Sequence, residues 1–549
     1  MFSPYSFWFE LRSVFHSNLS CVILAKVETK ERRYFIMTSA HIIMLITIAI
    51  YLIGMVAIGI YCSKDNETVG DFYLGGRKMG PIVTAMSAEA ADMSSWLLMG
   101  LPGLAYIAGI AEPAWTAIGL AIGTYVNWLV VAKRIRTYTH EVNAITLPDF
   151  FSLRYRDDKN ILMAIAAVVI IIFFVPYTAS GFAACGKLFS SIFAIDYHMA
   201  MIVSAIVIVA YTVTGGFLAA SMTDMIQSVV MSIALLVVVL FGVHVAGGWD
   251  AVAANANSMV DYISLKASHN AETGAVTPYG TLTIASTLAW GLGYFGMPHI
   301  LLRFMAIEDR EKLKLSRRVA TTWVVISMAV AVVIGVVGNA VSAAGALDFL
   351  GGNTSETIIV RLADLMGKYG VLMAIMGGII LSGILSSTMS TADAQLLAAS
   401  SSISENLMRK FFHVDLSTKA SIKIARAAVV AIAVVAVFIA RNPDSSVFRI
   451  VSFAWAGFGA TFGPVVLLAL FWKRSNKQGA LAGMITGGVM VFVWKFIIAP
   501  MGGTLAIYEL LPAFLLALAV NVVVSLATPA PAQEIQDEFD RVRNSIVNK

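Results

Sequence analysis

Two carboxylates stand inside an apolar stretch of the chain, SAEAADMSSWLLMGLPG at residues 87–103. Glu89 and Asp92 are three positions apart and are surrounded by Ala, Ser and Gly. A charge in the middle of a membrane costs about 2.5–3.5 kcal/mol on insertion scales, so acids there usually have a function. We therefore interpret Asp92 as a functional carboxylate. Glu89 has two open interpretations, a functional acid or a side chain at a helix end in water.

A second polar cluster, SSTMSTADAQ at residues 386–395, carries several hydroxyl groups. Ser387, Ser390 and Thr391 follow the i, i+3, i+4 spacing, which places them on one face of a helix. Such hydroxyls often bond back to their own helix. If the first stretch were unwound opposite them, the carbonyl groups of Ala90 and Met93 would complete an oxygen cage. Oxygen ligands without fixed charge suit a small monovalent cation rather than a divalent one.

Glycine and proline interrupt two apolar segments at matching places. The first segment contains GLPG at residues 100–103, and the other contains WGLGYFGMPH at residues 290–299. This density of Gly and Pro weakens helical hydrogen bonding and favours an unwound stretch. Paired broken helices at corresponding positions are typical of transporters built from inverted repeats. A kinked continuous helix, or close helix packing through small residues, is the alternative.

The composition indicates an integral membrane protein. Hydrophobic residues make up 58% of the 549 residues, charged residues 13%, and the mean hydropathy is +0.81. A soluble protein of this size could not cover its surface with so few charges. The net charge of +5 is spread over many connections, which argues against nucleic acid as a partner. The three cysteines show no metal-ligand spacing.

Apolar runs long enough to cross a bilayer predict thirteen helical spans and an all-α fold. Residues 1–36 never sustain such a run, so we interpret them as a poorly ordered or mispredicted extension. Residues 37–528 form the predicted transporter domain, and residues 529–549 form a polar tail. The predicted spans are 41–62, 80–107, 113–132, 161–183, 198–215, 225–247, 281–301, 320–343, 370–396, 424–440, 447–472, 479–499 and 505–527.

Basic residues concentrate in the connections that follow odd-numbered spans. The connection at 302–319 contains six Lys or Arg residues, whereas the one at 248–280 contains only Lys266. By the positive-inside rule, the N-terminus is predicted outside the cell and the C-terminus in the cytoplasm.

Taken in order, several motifs resemble the sodium/solute symporter family over residues 37–528. They are ADMSSWLLMGLPG, TLPDFF, GGFLAASMTDMIQ, WGLGYFGMPHILLRFMA, STMSTADAQLL and SFAWAGFGATFGPVVLLALFWKR. The resemblance implies two inverted five-helix repeats, spans 2–6 and 7–11, with discontinuous first helices. One leading helix and two trailing helices complete the thirteen.

The resemblance also implies residue roles. Asp92 would support sodium binding or coupling, and Asp224 would lie on the inward route of the ion. The alternative for Asp224 is a solvated loop carboxylate that caps span 6. Arg303, at the cytoplasmic end of span 7, can equally be a membrane anchor. The implied sodium ligands are Ala90, Met93, Ser387, Ser390 and Thr391. The implied solute-binding residues are Trp96, Tyr177, Trp290, Tyr294 and Pro298.

The sequence departs from the family pattern at three places. Ala91 stands where serine is usual, Ser95 where glycine is common, and Ser387 where alanine is common. Glu89 is not a fixed feature of the family either.

The function that the resemblance implies is import of L-proline with co-transported sodium through the plasma membrane, by alternating access. Trp290 and Tyr294, at i and i+4, could pack on the ring and ammonium of proline. A symporter for another amino acid, a carboxylate or a sugar is the nearest alternative, and a transporter-like sensor is a more distant one. The residues show no nucleophile and base pair, so no enzyme is expected.

Overall fold

The computed structural model describes residues 37–62 and 69–547, so the predicted extension at 1–36 lies outside the described residues. Ten helices within these ranges are long and apolar enough to cross a membrane. This confirms the all-α membrane class, while the count of thirteen spans stays a prediction. The ten are Ser39–Tyr61, Ala111–Glu141, Ile161–Phe193, Gly215–Val245, Arg310–Ala343, Val371–Phe411, Lys419–Ile439, Val447–Phe471, Lys477–Met501 and Leu510–Ala527.

The described residues of the first half of the chain form ten helices. Turns of 3-10 helix at Gly75–Arg77 and of π-helix at Trp96–Gly100 and Asn127–Val131 join some of them. The helices are α1 Ser39–Cys62, α2 Val69–Leu74, α3 Pro81–Asp92, α4 Leu101–Ala108, α5 Ala111–Val126, α6 Ala132–Glu141, α7 Leu147–Arg154, α8 Ile161–Phe193, α9 Tyr197–Val245 and α10 Trp249–Ser258.

The second half begins with two short antiparallel strands, β1 Ala267–His269 and β2 Val276–Pro278, in which Ala267 pairs with Pro278. Its helices are α11 Thr281–Leu288, α12 Pro298–Ala306, α13 Leu313–Ala343, α14 Ile358–Met366, α15 Val371–Ser401, α16 Thr418–Ile439, α17 Val447–Phe471, α18 Lys477–Val493, α19 Leu510–Ala527 and α20 Gln533–Val547. The single-turn 3-10 segments of this half are Arg310–Lys312, Gly367–Tyr369, Ala499–Met501 and Gly503–Leu505. The longer irregular segments are 3-10 Ala289–Phe295, 3-10 Gly352–Thr357, π Ser402–Phe411 and π Trp494–Ile498.

Predicted spans 5 and 6 are separated by a kink rather than by a loop. Both belong to α9, in which Gly216 alone leaves the helical conformation, with φ 72° and ψ −178°. Only glycine adopts this combination of φ and ψ without strain, so Gly216 turns the chain within one residue. The helix resumes at once, and Asp224 therefore lies inside a helix and not in the predicted connection.

The first helix of each predicted repeat is interrupted, as the glycine and proline pattern predicts. In predicted span 2, α3 ends at Asp92 and a π-helical turn leads into α4. In predicted span 7, α11 gives way to 3-10 helix at Ala289–Phe295, and Pro298 then starts α12. α15 packs along α9 and also contacts α3, which brings the hydroxyl cluster against the first interruption.

The polar tail forms the amphipathic helix α20, which packs on α6. Ile535, Phe539 and Val542 are its buried apolar side chains. Three ion pairs fix it to distant segments of the chain: Arg156–Glu538 at 2.5 Å, Lys473–Asp540 at 2.5 Å and Arg541–Glu141 at 3.6 Å.

Glycines let the second interruption approach α5 closely. A Cβ atom added at Gly291 would lie 2.3 Å from the carbonyl oxygen of Gly119. One added at Gly123 would lie 2.4 Å from Cα of Gly291. The glycines of the WGLGYFG stretch therefore allow close backbone packing, in addition to loosening the helix.

Gly291→Ala is accordingly expected to cost about 1–3 kcal/mol, the usual price of overpacking. The fall can be measured as a lower thermal midpoint of the purified protein in detergent. Gly54→Ala is the matched control, because its Cβ would meet nothing within 4 Å. Equal midpoints for both variants would show that the backbone at 291 moves aside freely.

Candidate cation and solute site

The first interruption exposes backbone groups at a tight turn. Met93 has φ −80° and ψ 60°, and the amide of Ser94 donates to the carbonyl of Asp92 at 2.9 Å. These values describe an inverse γ-turn. In a continuous α-helix the amide of Ser94 would donate to the carbonyl of Ala90, four residues earlier. Here it donates to Asp92 instead. The predicted unwinding of this stretch is confirmed.

Ser390 on α15 reaches this turn. Its hydroxyl donates to the carbonyl of Ala90 at 2.8 Å, so two predicted ligand groups meet. Thr391 is buried, and its hydroxyl has no hydrogen-bond partner among the described residues. Ser387 behaves differently, because its hydroxyl donates to Ile384 of the same helix at 2.8 Å. The local back-bonding that the sequence left open thus occurs at both serines, because Ser390 also donates to the carbonyl of Ser387 at 3.3 Å, but Ser390 additionally reaches α3.

Asp92 joins the two interrupted helices. The hydroxyl of Tyr294 donates to Asp92 Oδ2 at 2.6 Å, across 202 positions of sequence. The carbonyl of Asp92 accepts from Trp96 Nε1 at 3.3 Å and from the Tyr177 hydroxyl at 3.5 Å. Three predicted solute-binding residues therefore converge on Asp92, Tyr294 at its buried carboxylate and Trp96 and Tyr177 at its backbone carbonyl.

Trp290 and Tyr294 do not share a helical face as the i, i+4 spacing suggests, because both lie in the 3-10 segment. A 3-10 helix has three residues per turn, so positions four apart diverge. The Trp290 ring is 6.1 Å from that of Trp96 and stacks on Tyr508 at 5.2 Å. Tyr294 contacts the Trp455 ring edge-on at 5.1 Å.

Pro298 faces a cavity whose lining includes none of these aromatic rings. It is the first residue of α12, and it lines a small cavity with Ile170 of α8 and Leu397 of α15. A proline at this position costs no hydrogen bond, because the first amides of a helix have no partner within it.

The sequence left Glu89 open between a functional acid and a side chain at a helix end in water, and the second interpretation is wrong. The residue is 1% exposed and lies within α3. Its Oε1 accepts hydrogen bonds from Trp128 Nε1 at 2.9 Å and from the Thr124 hydroxyl at 3.2 Å. Both donors come from α5 and the π-helical turn after it.

Asp224 and Arg303 form a buried ion pair, which corrects the solvated interpretation of Asp224 and the anchoring interpretation of Arg303. Arg303 is 1% exposed and contacts Asp224 Oδ2 at 2.9 Å. Ser87 links the two, because it accepts from Arg303 Nε at 2.7 Å and donates to Asp224 at 2.7 Å. Neither charged group serves as a surface anchor or as a helix cap.

Three aromatic residues of the cluster were not predicted from the sequence. Trp455 donates its indole N–H to the carbonyl of Trp290 at 2.8 Å, and Phe448 lies 5.5 Å from the Trp290 ring. Both belong to α17, and the SFAWAGFGATFG motif was the available signal for Trp455. Tyr508 precedes α19, where no sequence pattern marked it.

The model of the family described as Sodium:solute symporter family matches residues 72–487 of this chain. A sodium/proline symporter of Haemophilus influenzae is 42% identical over 510 residues, covering 91% of this chain and 98% of that protein. The sodium/proline symporter of Escherichia coli is 40% identical, covering 90% and 95%. The high-affinity proline transporter PutP of Bacillus subtilis is 40% identical, covering 90% and 100%.

Among solved structures, a sodium-coupled sialic acid symporter in a substrate-bound outward-open state superposes with a TM-score of 0.74. It covers 89% of this chain and 99% of its own, and its 16% identity supports the fold alone. The family match includes both interrupted helices and the hydroxyl cluster of α15. By this match and by identity above 40% to a relative of nearly the same length, the chain belongs to the sodium:solute symporter family.

Proposed function

We propose that this protein imports L-proline together with sodium through the plasma membrane, by alternating access. The observation that carries the proposal is the meeting of Ala90 and Ser390 beside Asp92, which Tyr294 links to the second interrupted helix. The relatives named as sodium/proline symporters, at about 40% identity over most of the chain, support proline as the solute.

The proposed sodium ligands are the carbonyl groups of Ala90 and Met93 with the oxygens of Ser387, Ser390 and Thr391. Ser390 and Thr391 fit best, because Ser390 already contacts Ala90 and the buried hydroxyl of Thr391 has no partner among the residues that the structure describes. Ser387 is better suited to contribute its carbonyl, since its hydroxyl is bonded to its own helix. Asp92 adds the negative charge that a bound cation requires in a low-dielectric site.

Proline would lie between the two interrupted helices. The rings of Trp96, Trp290 and Tyr294 offer apolar faces for its pyrrolidine ring and a π-surface for its ammonium. The backbone amides at the start of a half-helix suit its carboxylate. Tyr177, which contacts Asp92, would close the side of the cavity formed by α8. Pro298 would act by starting α12 rather than by touching the solute.

Asp224 would bind the ion on its way to the cytoplasm. Its ion pair with Arg303 would set how strongly that carboxylate attracts the ion. The positive-inside pattern supports an external N-terminus and a cytoplasmic C-terminus. Residues 37–528 would then form the transporter domain, with 529–549 as a cytoplasmic tail and 1–36 as an extension outside it.

The test is uptake of labelled proline by proteoliposomes that contain the purified protein. An inward sodium gradient should drive accumulation, and a membrane potential of 100 mV should add about 2.3 kcal/mol per charge moved. Replacing sodium by choline should abolish accumulation. Competition by unlabelled amino acids, carboxylates and sugars identifies the solute, and uptake that persists in choline would overturn sodium coupling.

The two serines of α15 give a matched pair for the sodium site. Ser390→Ala should raise the sodium concentration for half-maximal uptake about 10- to 100-fold, since a bond to a charged group contributes about 1.5–3 kcal/mol. Ser387→Ala should leave it within about threefold, because that hydroxyl serves its own helix. The reverse order in sodium titrations would show that the wrong serine has been assigned as a side-chain ligand.

A further inference from the structure

The C-terminal helix α20 lies across the boundary between two groups of segments at one face of the molecule. The first group, which we call the α6 group, consists of α6 and residues 305–311. Arg136 of α6 donates to the carbonyl of Ile307 at 2.7 Å, and Lys133 forms an ion pair with Glu311 at 2.9 Å. These contacts join α6 to the end of α12 without the help of α20.

The second group, which we call the α17 group, consists of residues 154–157 and 469–477. Arg154 Nε donates to the carbonyl of Ala469 at 3.1 Å, so the segment before α8 is joined to the end of α17. Further contacts within this group are the hydrogen bond between the hydroxyls of Tyr155 and Ser475 at 2.8 Å and the ion pair Lys477–Asp157 at 3.3 Å.

α20 is attached to both groups, but in different ways. It packs on α6, Arg541 forms an ion pair with Glu141 at 3.6 Å, and the carbonyl of Ser545 accepts from Arg310 at 2.8 Å. Its contacts with the α17 group are made by side chains: Arg156–Glu538 at 2.5 Å, Lys473–Asp540 at 2.5 Å and the Arg154 guanidinium 5.4 Å from the centre of the Phe539 ring.

The attachment to the α17 group is the one that is easier to break. Lys473 and Asp540 are both exposed to solvent by more than a third of their side-chain area. Exposed ion pairs contribute little to stability, whereas a buried apolar helix face loses favourable contacts along its whole length when it separates. α20 is therefore expected to stay on α6 when the two groups move apart.

The two groups belong to different walls of the candidate site. α12, whose end lies in the α6 group, begins at Pro298, and α17 carries Trp455 of the aromatic cluster. The cavity that Pro298 lines is also lined by Pro148 of α7 and Ser401 of α15, and α7 ends at Arg154 in the α17 group. Alternating access is largely a rigid-body movement of one part of such a bundle against another. Separation of the two groups would widen this cavity.

We propose that α20 is a strap that restrains separation of the α6 group from the α17 group. Its contacts with the α17 group break each time the cavity opens toward the face that carries α20, which the proposed topology places in the cytoplasm. The inference rests on the proposed function, since the movement that α20 restrains belongs to the alternating-access cycle. The C-terminal tail thereby stabilises the state that is closed at this face.

Two neighbouring residues of α20 give a matched pair of cross-links. Lys473→Cys with Asp540→Cys joins α20 to the α17 group, whereas Glu141→Cys with Arg541→Cys joins it to α6. Each link is closed by a bifunctional thiol reagent that a reductant cleaves. The background is the full-length protein with Cys21→Ala, Cys62→Ala and Cys185→Ala.

Closing the 473–540 link should lower the initial rate of sodium-driven proline uptake in proteoliposomes about tenfold or more, because opening is then blocked, and the reductant should restore the rate. Closing the 141–541 link should leave the rate within about twofold. Unchanged uptake with the 473–540 link closed overturns the inference, and so does equal inhibition by both links. Absence of sodium-driven uptake by the wild-type protein would instead contradict the proposed function.

Opening of the cavity can also be measured without transport. In the same background, Ser401→Cys is labelled by a membrane-impermeant maleimide applied to the face that carries α20. Lys473→Gln with Glu538→Gln removes both ion pairs to the α17 group and should raise the labelling rate about 3- to 10-fold. Arg541→Gln, which removes the ion pair to α6, is the control and should leave the rate within about twofold. A double variant that is labelled no faster than this control overturns the strap, whichever solute the protein carries.

Discussion

Asp92→Asn should raise the sodium concentration needed for half-maximal proline uptake about 100-fold. Two opposite unit charges roughly 6 Å apart at an effective dielectric constant of about 20 attract each other by about 3 kcal/mol. That energy corresponds to a factor of about 100 in an equilibrium constant. Asparagine keeps the volume of the side chain and an oxygen that can accept from Tyr294, so the change isolates the charge.

Sodium titrations of initial uptake rate in proteoliposomes give the answer. Asp250→Asn is the matched control, because it removes an exposed carboxylate outside the site and should leave the titration unchanged. Tyr294→Phe, which removes only the donor to Asp92, is expected to weaken proline binding more than sodium binding. A sodium requirement of Asp92→Asn within about threefold of wild type would contradict the role of this charge.

Arg303→Gln should be the most destabilising change among the residues of the buried Asp224–Arg303 pair. Removing one partner of a buried ion pair costs about 3–5 kcal/mol, because the other charge stays buried and unpaired. Here two carboxylates depend on Arg303: Asp224, which it contacts at 2.9 Å, and Asp393, which interacts with it electrostatically. The thermal midpoint in detergent, followed by size-exclusion fluorescence, measures the loss.

Ranking the thermal midpoints of three variants separates the contribution of these residues to stability from their contribution to ion transport. Asp224→Asn leaves Arg303 with Asp393 as a counter-charge and should be the mildest. Arg303→Gln should be the most severe, and the double variant should lie between them. Asp224→Asn should also slow sodium-driven uptake more than it lowers the thermal midpoint, if this carboxylate receives the ion. If Asp224→Asn proves as destabilising as Arg303→Gln, Asp393 does not share the arginine.

Much of the fold could be predicted from the sequence, because membrane spans are governed by local composition. Twenty apolar residues in a row and a scarcity of charge suffice to predict a spanning helix. The interruptions were predictable for the same local reason, since Gly and Pro act on their own backbone. The kink of α9 was not, because a turn at Gly216 alone is as compatible with the sequence as a short loop.

Site residues could be predicted from the sequence only where they lie on the same helix. The spacing of Ser387, Ser390 and Thr391 indicates a shared helix face, and the structure places that face against the first interruption. Which hydroxyl crosses to Ala90 depends on the contact between α3 and α15, which no local pattern contains. The same limit applies to Asp224 and Arg303, 79 positions apart, whose pairing is a property of tertiary packing alone.

Glu89 shows a further limit. Its sequence neighbours are small and polar, and they fit a helix end in water as well as a buried position. The donors that hold it, Thr124 and Trp128, lie 35 and 39 positions away on another helix. Similarly, Tyr508 joins the aromatic cluster from the connection before α19, across more than 200 positions. Contacts between residues so far apart in sequence can be identified only in the folded structure.

The docking of α20 has a consequence for how the protein is made. Its partner Arg156 precedes Glu538 by 382 positions, and Glu141 and Lys473 also precede the helix in the chain. Chains emerge from the ribosome N-terminus first. The surface that receives α20 is therefore synthesised before α20 itself, and α20 can cover it only after α20 has left the ribosome. Burial of Phe539 therefore requires that α6 and the segments that carry Arg156 and Lys473 are already in place.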